Sequence, residues 1–181
     1  MPIQSIAVFC GSKFGRNELF KQHTEQLGKM LATRGISVVY GGGNVGLMGV
    51  IADNVMEAGG KVIGVIPQVL VEWERQHETI TELLVVPDMH VRKRKMYELC
   101  DAAVILPGGF GTLDELFEML TWNQLSIHDK TIFILNTGNF YSHLIAHVEQ
   151  MHREGFLYEE AYKRLVIIDT PDALVAHLEN D

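Results

Sequence analysis

Residues 107–115, Pro-Gly-Gly-Phe-Gly-Thr-Leu-Asp-Glu, place two kinds of chemistry side by side. A glycine-rich turn that opens a helix aims backbone N–H groups at one point, which suits an anion the size of a phosphate. The Thr112 hydroxyl adds a donor, and Glu115 sets a carboxylate beside the cradle. The same residues also spell a capping box, with Thr112 at the N-cap and Glu115 three residues on. Both readings stand at this point.

A second run, Arg92-Lys93-Arg94-Lys95, offers countercharge in an otherwise acidic chain. If residues 89–100 form a helix, Met89, Met96 and Cys100 share one face. Arg92 and Lys93 then fall within about 60° of that stripe, while Arg94 and Lys95 point to solvent. A cation turned inward needs an anionic partner, which a bound phosphate or Glu115 would supply.

Other glycine-bearing turns follow other apolar runs: "CGS" at 10–12, "GGGNVG" at 41–46 and "NTG" at 136–138. Gly41, Gly43 and Gly46 match the dinucleotide fingerprint literally. That fingerprint needs an acid at the end of the next strand to hold a ribose hydroxyl. Here that strand ends Gly-Val-Ile-Pro-Gln, and the nearest acids, Asp53 and Glu57, lie within the intervening helix. No GxxxxGK[ST] run is present, which excludes a P-loop. A small phosphate-bearing ligand fits better than a dinucleotide, and "NTG" alone reads as a tight turn.

These motifs need a scaffold, and the chain supplies a regular one. Apolar runs at 5–10, 36–40, 61–66, 82–86, 102–106, 131–135 and 165–169 alternate with amphipathic stretches. Continuous β-rich runs between helices predict an α/β, Rossmann-like fold, with a parallel sheet of about seven strands and helices on both faces. In such sheets ligands bind outside the carboxyl ends of the strands, where the glycine turns stand. With 181 residues, 47% hydrophobic and 21% charged, the chain is expected to form a single domain over 1–181.

A net charge of −8 argues against general nucleic-acid binding. Two cysteines are too few for a disulfide framework, no apolar run is long enough for a membrane helix, and no signal peptide is evident. A cytoplasmic protein with no membrane partner is expected.

"GGGNVGLMG" (41–49), "DMHVRKRKM" (88–96) and "PGGFGTLDELFEMLTWNQLSIHDK" (107–130) resemble the LOG ("Lonely Guy") family. Its members are cytokinin riboside 5′-monophosphate phosphoribohydrolases, often mislabelled lysine decarboxylases. The resemblance implies hydrolysis of the N-glycosidic bond of an adenosine 5′-monophosphate, preferably N6-substituted, to free base and ribose 5-phosphate. It implies no cofactor, and a homodimer whose sites use residues of both subunits. Carried over by position, Arg92 and Glu115 form the catalytic pair. Gly108, Gly109, Gly111 and Thr112 hold the phosphate with Lys93; Ser12 and Gly43 line the nucleotide pocket, and Glu74 and Thr121 also touch substrate. A pyridoxal decarboxylase would need a Schiff-base lysine with an acidic partner for the ring, a context no lysine here has.

Two other functions fit the same motifs: a broader AMP nucleosidase, and a non-catalytic carrier of nucleotides or a molybdenum cofactor. The pairing of Arg92 with Glu115 favours a hydrolase, since a carrier needs the glycines but no carboxylate beside its anion. His143 and His147 stand at i, i+4 but lack the Glu of HExxH and a third ligand, so no metal is expected. Asp169 and Asp172 flank a helix start at Pro171, behind Thr170 as N-cap, and read as structural. Trp73 and Trp122 read as packing or as the border of a base pocket. Met48, Met56, Met89 and Met96 read as core or as an adaptable lining for an N6 substituent.

Overall fold

The computed structural model describes residues 2–71 and 76–178. Among them the chain alternates β1 (Ser5–Phe9), α1 (Glu18–Thr33), β2 (Ser37–Tyr40), α2 (Gly46–Glu57), β3 (Val62–Pro67), β4 (Glu82–Val86), α3 (Met89–Glu98), β5 (Ala102–Ile105), α4 (Phe110–Gln124), β6 (Ile132–Leu135), α5 (Ser142–Arg153), α6 (Glu159–Lys163), β7 (Leu165–Ile168) and α7 (Pro171–Leu178). All seven strands join one parallel sheet in the order β4-β3-β2-β1-β5-β6-β7. The expected α/β, Rossmann-like architecture is therefore the observed one.

The continuous apolar runs follow from burial on both faces. Ile6, Val8 and Cys10 turn to one side, against Leu27 and Leu31 of α1, Ile51 and Val55 of α2, and Leu174 of α7. Ala7 and Phe9 turn to the other, against Met96 and Tyr97 of α3, Leu116 and Met119 of α4, and Tyr141 ahead of α5. A strand covered on both sides has no polar face to alternate. The outer strands are wetter: Val85 and Ile167 are exposed.

Strand order reverses at β1, whose neighbours are β2 and β5. There the loops after β1 and β5 diverge towards opposite faces and open a crevice. Asp101 pins the far end of this seam. Its carboxylate accepts N–H bonds from Gln4 and Ser5 at 2.9 Å each, and the Ser5 hydroxyl at 3.0 Å. Short α6 falls in a stretch that carries no clear helical signal in the sequence.

Candidate active site

A cavity of about 290 Å³ occupies this crevice, walled by residues 8–12 at the end of β1 and just beyond it, Gly41 and Met48 after β2, Leu70, Met89 and Arg92 of α3, and the start of α4 with Gly109–Thr112, Asp114 and Glu115. Arg92 and Glu115, 23 residues apart in sequence, line the same space. Ser12, Gly109, Gly111 and Thr112 line it too.

The capping box is not formed. The helix starts at Phe110, with Gly109 as an extended N-cap that makes no side-chain cap bond. Thr112 is then the third helical residue, and Glu115 stands too far inside to reach back to a cap. Thr112 is 3% exposed, packed against Gly108. A β-carbon on Gly108 would lie 2.1 Å from the Thr112 oxygen, so only glycine lets the helix begin so early. The consequence is chemical. An N-cap without a side chain leaves the first-turn N–H groups of the helix for a ligand, at the positive end of its dipole. Added β-carbons on Gly109 and Gly111 would meet nothing within 4 Å, so the approach is open.

Arg92 is 5% exposed and held by two strand ends. Its Nε donates to the Val65 carbonyl at 3.0 Å and its Nη2 to the Gly41 carbonyl at 2.9 Å. A β-carbon on Gly41 would sit 2.1 Å from Nη2. The first glycine of "GGGNVG" thus makes room for a guanidinium. Gly46, at φ +55°, lets α2 press on the loop after β1, where a β-carbon would lie 2.3 Å from the Ser12 carbonyl carbon. Both of these fingerprint glycines thus serve close protein contacts.

Several expected site residues lie elsewhere. Gly43 is buried but bridges to Gln76 and does not line the cavity; Gly41 holds the place expected for it. Lys93 is turned inward, 8% exposed, as the helical spacing requires. Its ammonium, however, meets Asp114 at 3.2 Å and Glu118 at 3.1 Å, and not the cavity. Burial lowers its pKa, but hydrogen bonds and charge from Glu118 and Asp114 outweigh that and raise it overall. Thr121 lies far along α4, bonded to the Phe117 carbonyl, in a separate apolar groove. Glu74 and Trp73 fall outside the described residues. Trp122 packs edge-on against Tyr97 at 5.0 Å. The "NTG" turn is structural: the Asn136 side chain accepts from the Tyr141 N–H at 2.8 Å.

Three neighbours of the site are not singled out by the motifs, although Cys10 belongs to "CGS" and Asp114 to the glycine motif. Cys10 lines the cavity, and burial followed by the negative charge of Glu115 holds its thiol protonated. Asp114 lines the rim. Tyr97, 2% exposed, donates to Glu118 at 2.8 Å, and burial with that bond pushes its phenol up. Among the described residues, no three His, Cys, Asp or Glu side chains gather as a metal site would require.

A doubly wound α/β protein with an open helix N-terminus, a fixed guanidinium and a carboxylate lining one cavity at its switch point is what the geometry defines. Comparison with known proteins makes it more particular. Residues 48–178 match a family described as "possible lysine decarboxylase". A cytokinin riboside 5′-monophosphate phosphoribohydrolase of Arabidopsis thaliana is 45% identical over 177 residues, 97% of this chain and 82% of that one. A probable enzyme of the same name from Oryza sativa subsp. japonica is 43% identical over 174 residues, 96% of this chain and 71% of the other. The chain belongs to the LOG family. In fold it is also similar to the molybdenum cofactor binding protein of Rippkaea orientalis, with a TM-score of 0.73 at 20% identity over 99% of this chain and 97% of that one. Such low identity speaks for the architecture alone.

Proposed function

We propose that this chain hydrolyses the N-glycosidic bond of an N6-substituted adenosine 5′-monophosphate, releasing the free base and ribose 5-phosphate. Relatives that share over 40% of its residues across most of the chain carry the phosphoribohydrolase name. The observation that carries the reading here is that Arg92 and Glu115 line one cavity with the open N-terminus of α4.

The chemistry follows from these parts. The phosphate is bound by the first-turn N–H groups of α4, with Gly108, Gly109, Gly111 and Thr112 shaping the cradle and Ser12 at its edge. Binding this remote group positions the bond that reacts. As the C1′–N bond breaks, electrons leave with the base and positive charge grows on the ribose. The Glu115 carboxylate stabilises that charge and takes a proton from the attacking water, whose oxygen joins C1′. The departing base takes up one proton from solvent, and Glu115 returns the water's proton to solvent after the base has left, so the sum is addition of one water across the bond. Arg92 keeps its own proton at neutral pH, so its role is to orient substrate and polarise the leaving base. A lysine decarboxylase reading gains nothing from Lys93, which two carboxylates hold charged when a Schiff base requires a neutral amine.

The whole chain is read as one cytoplasmic domain acting as a homodimer on a small nucleotide, with no nucleic-acid or membrane partner. One sheet carrying every strand supports the first point, and two buried free thiols suit a reducing compartment. No helix among the described residues is long and apolar enough to cross a membrane. Phe110, 92% exposed at the cavity mouth, supports the pairing of two copies across the site. Glu74 and Thr121 are read as substrate contacts completed through that pairing.

The test is incubation with isopentenyladenosine 5′-monophosphate, AMP and isopentenyladenosine, with free base measured by chromatography. Base release from the first, exceeding that from AMP and absent for the riboside, is the expected result. Equal rates on AMP would make this a general nucleosidase. No release from any would leave a nucleotide carrier.

A further inference from the structure

Beside the cavity, α3 and α4 are joined by a polar cluster in which Lys93 and Tyr97 are buried, Glu118 is half-buried and Asp114 is exposed. The Lys93 ammonium bridges Asp114 and Glu118. The other oxygen of Glu118 accepts the Tyr97 hydroxyl at 2.8 Å, and that hydroxyl lies 3.5 Å from the Glu115 carbonyl. Edge-on contacts with Phe9 and Trp122 fix the Tyr97 ring. Every polar link runs from α3 to α4, and the Lys93–Asp114 pair stands next to both proposed catalytic residues: Lys93 follows Arg92, and Asp114 precedes Glu115. Arg92 is held from the sheet side by Gly41 and Val65. The cluster meets the Glu115 turn of α4 at its backbone, where the Tyr97 hydroxyl approaches the Glu115 carbonyl.

Charge points the same way. Around Glu115 stand Arg92, Lys93 and Tyr97 from α3, Asp114 and Glu118 from α4, and Cys10 after β1. Burial keeps the Cys10 thiol and the Tyr97 phenol neutral. Two cations therefore face three carboxylates within little more than one turn of α4. Without Lys93, one cation would face all three, and crowded carboxylates resist ionisation.

We propose that Lys93, Tyr97 and Glu118 form a positioning brace that holds Glu115 opposite Arg92, with Lys93 balancing the carboxylates and not binding phosphate. The proposal rests on the hydrolase reading. A displaced carboxylate slows the bond-breaking step while the phosphate cradle, built from the start of α4, still holds substrate.

The experiment measures kcat, KM and pH–rate profiles for isopentenyladenosine 5′-monophosphate in four variants, with thermal unfolding alongside. Tyr97→Phe and Glu118→Gln are expected to lower kcat by roughly 10- to 100-fold with KM within about twofold. Lys93→Met is expected to move the acid limb of the kcat profile to higher pH, again with little change in KM. Trp122→Phe keeps the polar cluster and serves as the packing control, expected to retain kcat. A Tyr97→Phe protein with wild-type kcat overturns the brace, as does an equal loss in Trp122→Phe. A Lys93→Met variant that raises KM by tenfold with an unmoved pH limb would return Lys93 to the phosphate. If Tyr97→Phe folds poorly, Glu118→Gln decides by the same criteria. Wild-type protein that releases no base overturns the hydrolase reading and the brace with it; active wild type with unimpaired variants overturns the brace alone.

Discussion

Glu115 and Arg92 are asked to do different things, and their substitutions should fail differently. Glu115→Gln keeps the size and packing of the side chain but removes its charge. It is expected to fold and bind nucleotide normally while kcat falls by about 10²–10⁴-fold, measured by base release beside a nucleotide titration. Gly41→Ala should damage the other partner without touching it in sequence. Its β-carbon would lie 2.1 Å from Arg92 Nη2, against a side chain already fixed by two carbonyls. The guanidinium must move, and kcat/KM is expected to fall by roughly 10²-fold. A Gly41→Ala enzyme with wild-type kinetics would show that Arg92 tolerates displacement. The helical spacing of residues 89–100 was enough to turn Arg92 and Lys93 inward. It held no information about what they meet, because Gly41 and Val65 are 51 and 27 residues away.

The start of α4 shows how local chemistry can mislead at an element's end. Thr followed three residues later by Glu is a sound cap signature, yet Gly108 and Gly109 allow the helix to begin earlier and pull Thr112 inside. Elsewhere the seams between elements rest on few bonds. Asp101 ties the start of β1 to β5 through three hydrogen bonds, and Asp101→Ala should cost about 1 kcal/mol in a urea titration at pH 7. Burial pushes that carboxyl up, but the Gln4 and Ser5 bonds and the Lys130 charge pull it lower overall. The folded state therefore holds the ionised form more strongly than the unfolded one. Its stabilisation is full above the ordinary carboxylate pKa of about 3.9 and disappears as pH falls through the depressed folded value. The wild-type and Asp101→Ala proteins should converge in stability at acid pH. Tyr141→Phe, which removes the bond to the Leu106 carbonyl at 2.7 Å, should cost a similar amount with no such pH dependence across neutral pH.

At the level of the assembly, Thr121 and the cavity lie on different parts of the surface, while Phe110 stands almost fully exposed at the cavity mouth. If two copies complete each site, light scattering should give twice the mass of one chain. Each mixed dimer of Glu115→Gln and Thr121→Ala should then carry one intact site, about half the activity of a wild-type dimer, provided each parent variant is impaired; no recovery after subunit exchange would place Thr121 outside the partner's site. Ribose 5-phosphate should stabilise the folded chain by about 2.7 kcal/mol at a hundredfold excess over Kd, read as a rise in unfolding temperature.

The fold class was legible in the chain because burial on both faces leaves continuous apolar runs, and parallel strands require the helices between them. The place of the cavity was legible because glycine turns gather at the carboxyl ends of parallel strands, where such sheets open a crevice. The direction of Arg92 was legible because helical periodicity is local. Strand order, the early start of α4, the seat of Arg92 on Gly41 and the diversion of Lys93 to Asp114 and Glu118 were decided only in three dimensions. Each is a contact between segments far apart in sequence, set by packing the helices on the sheet, and no local pattern encodes the partner.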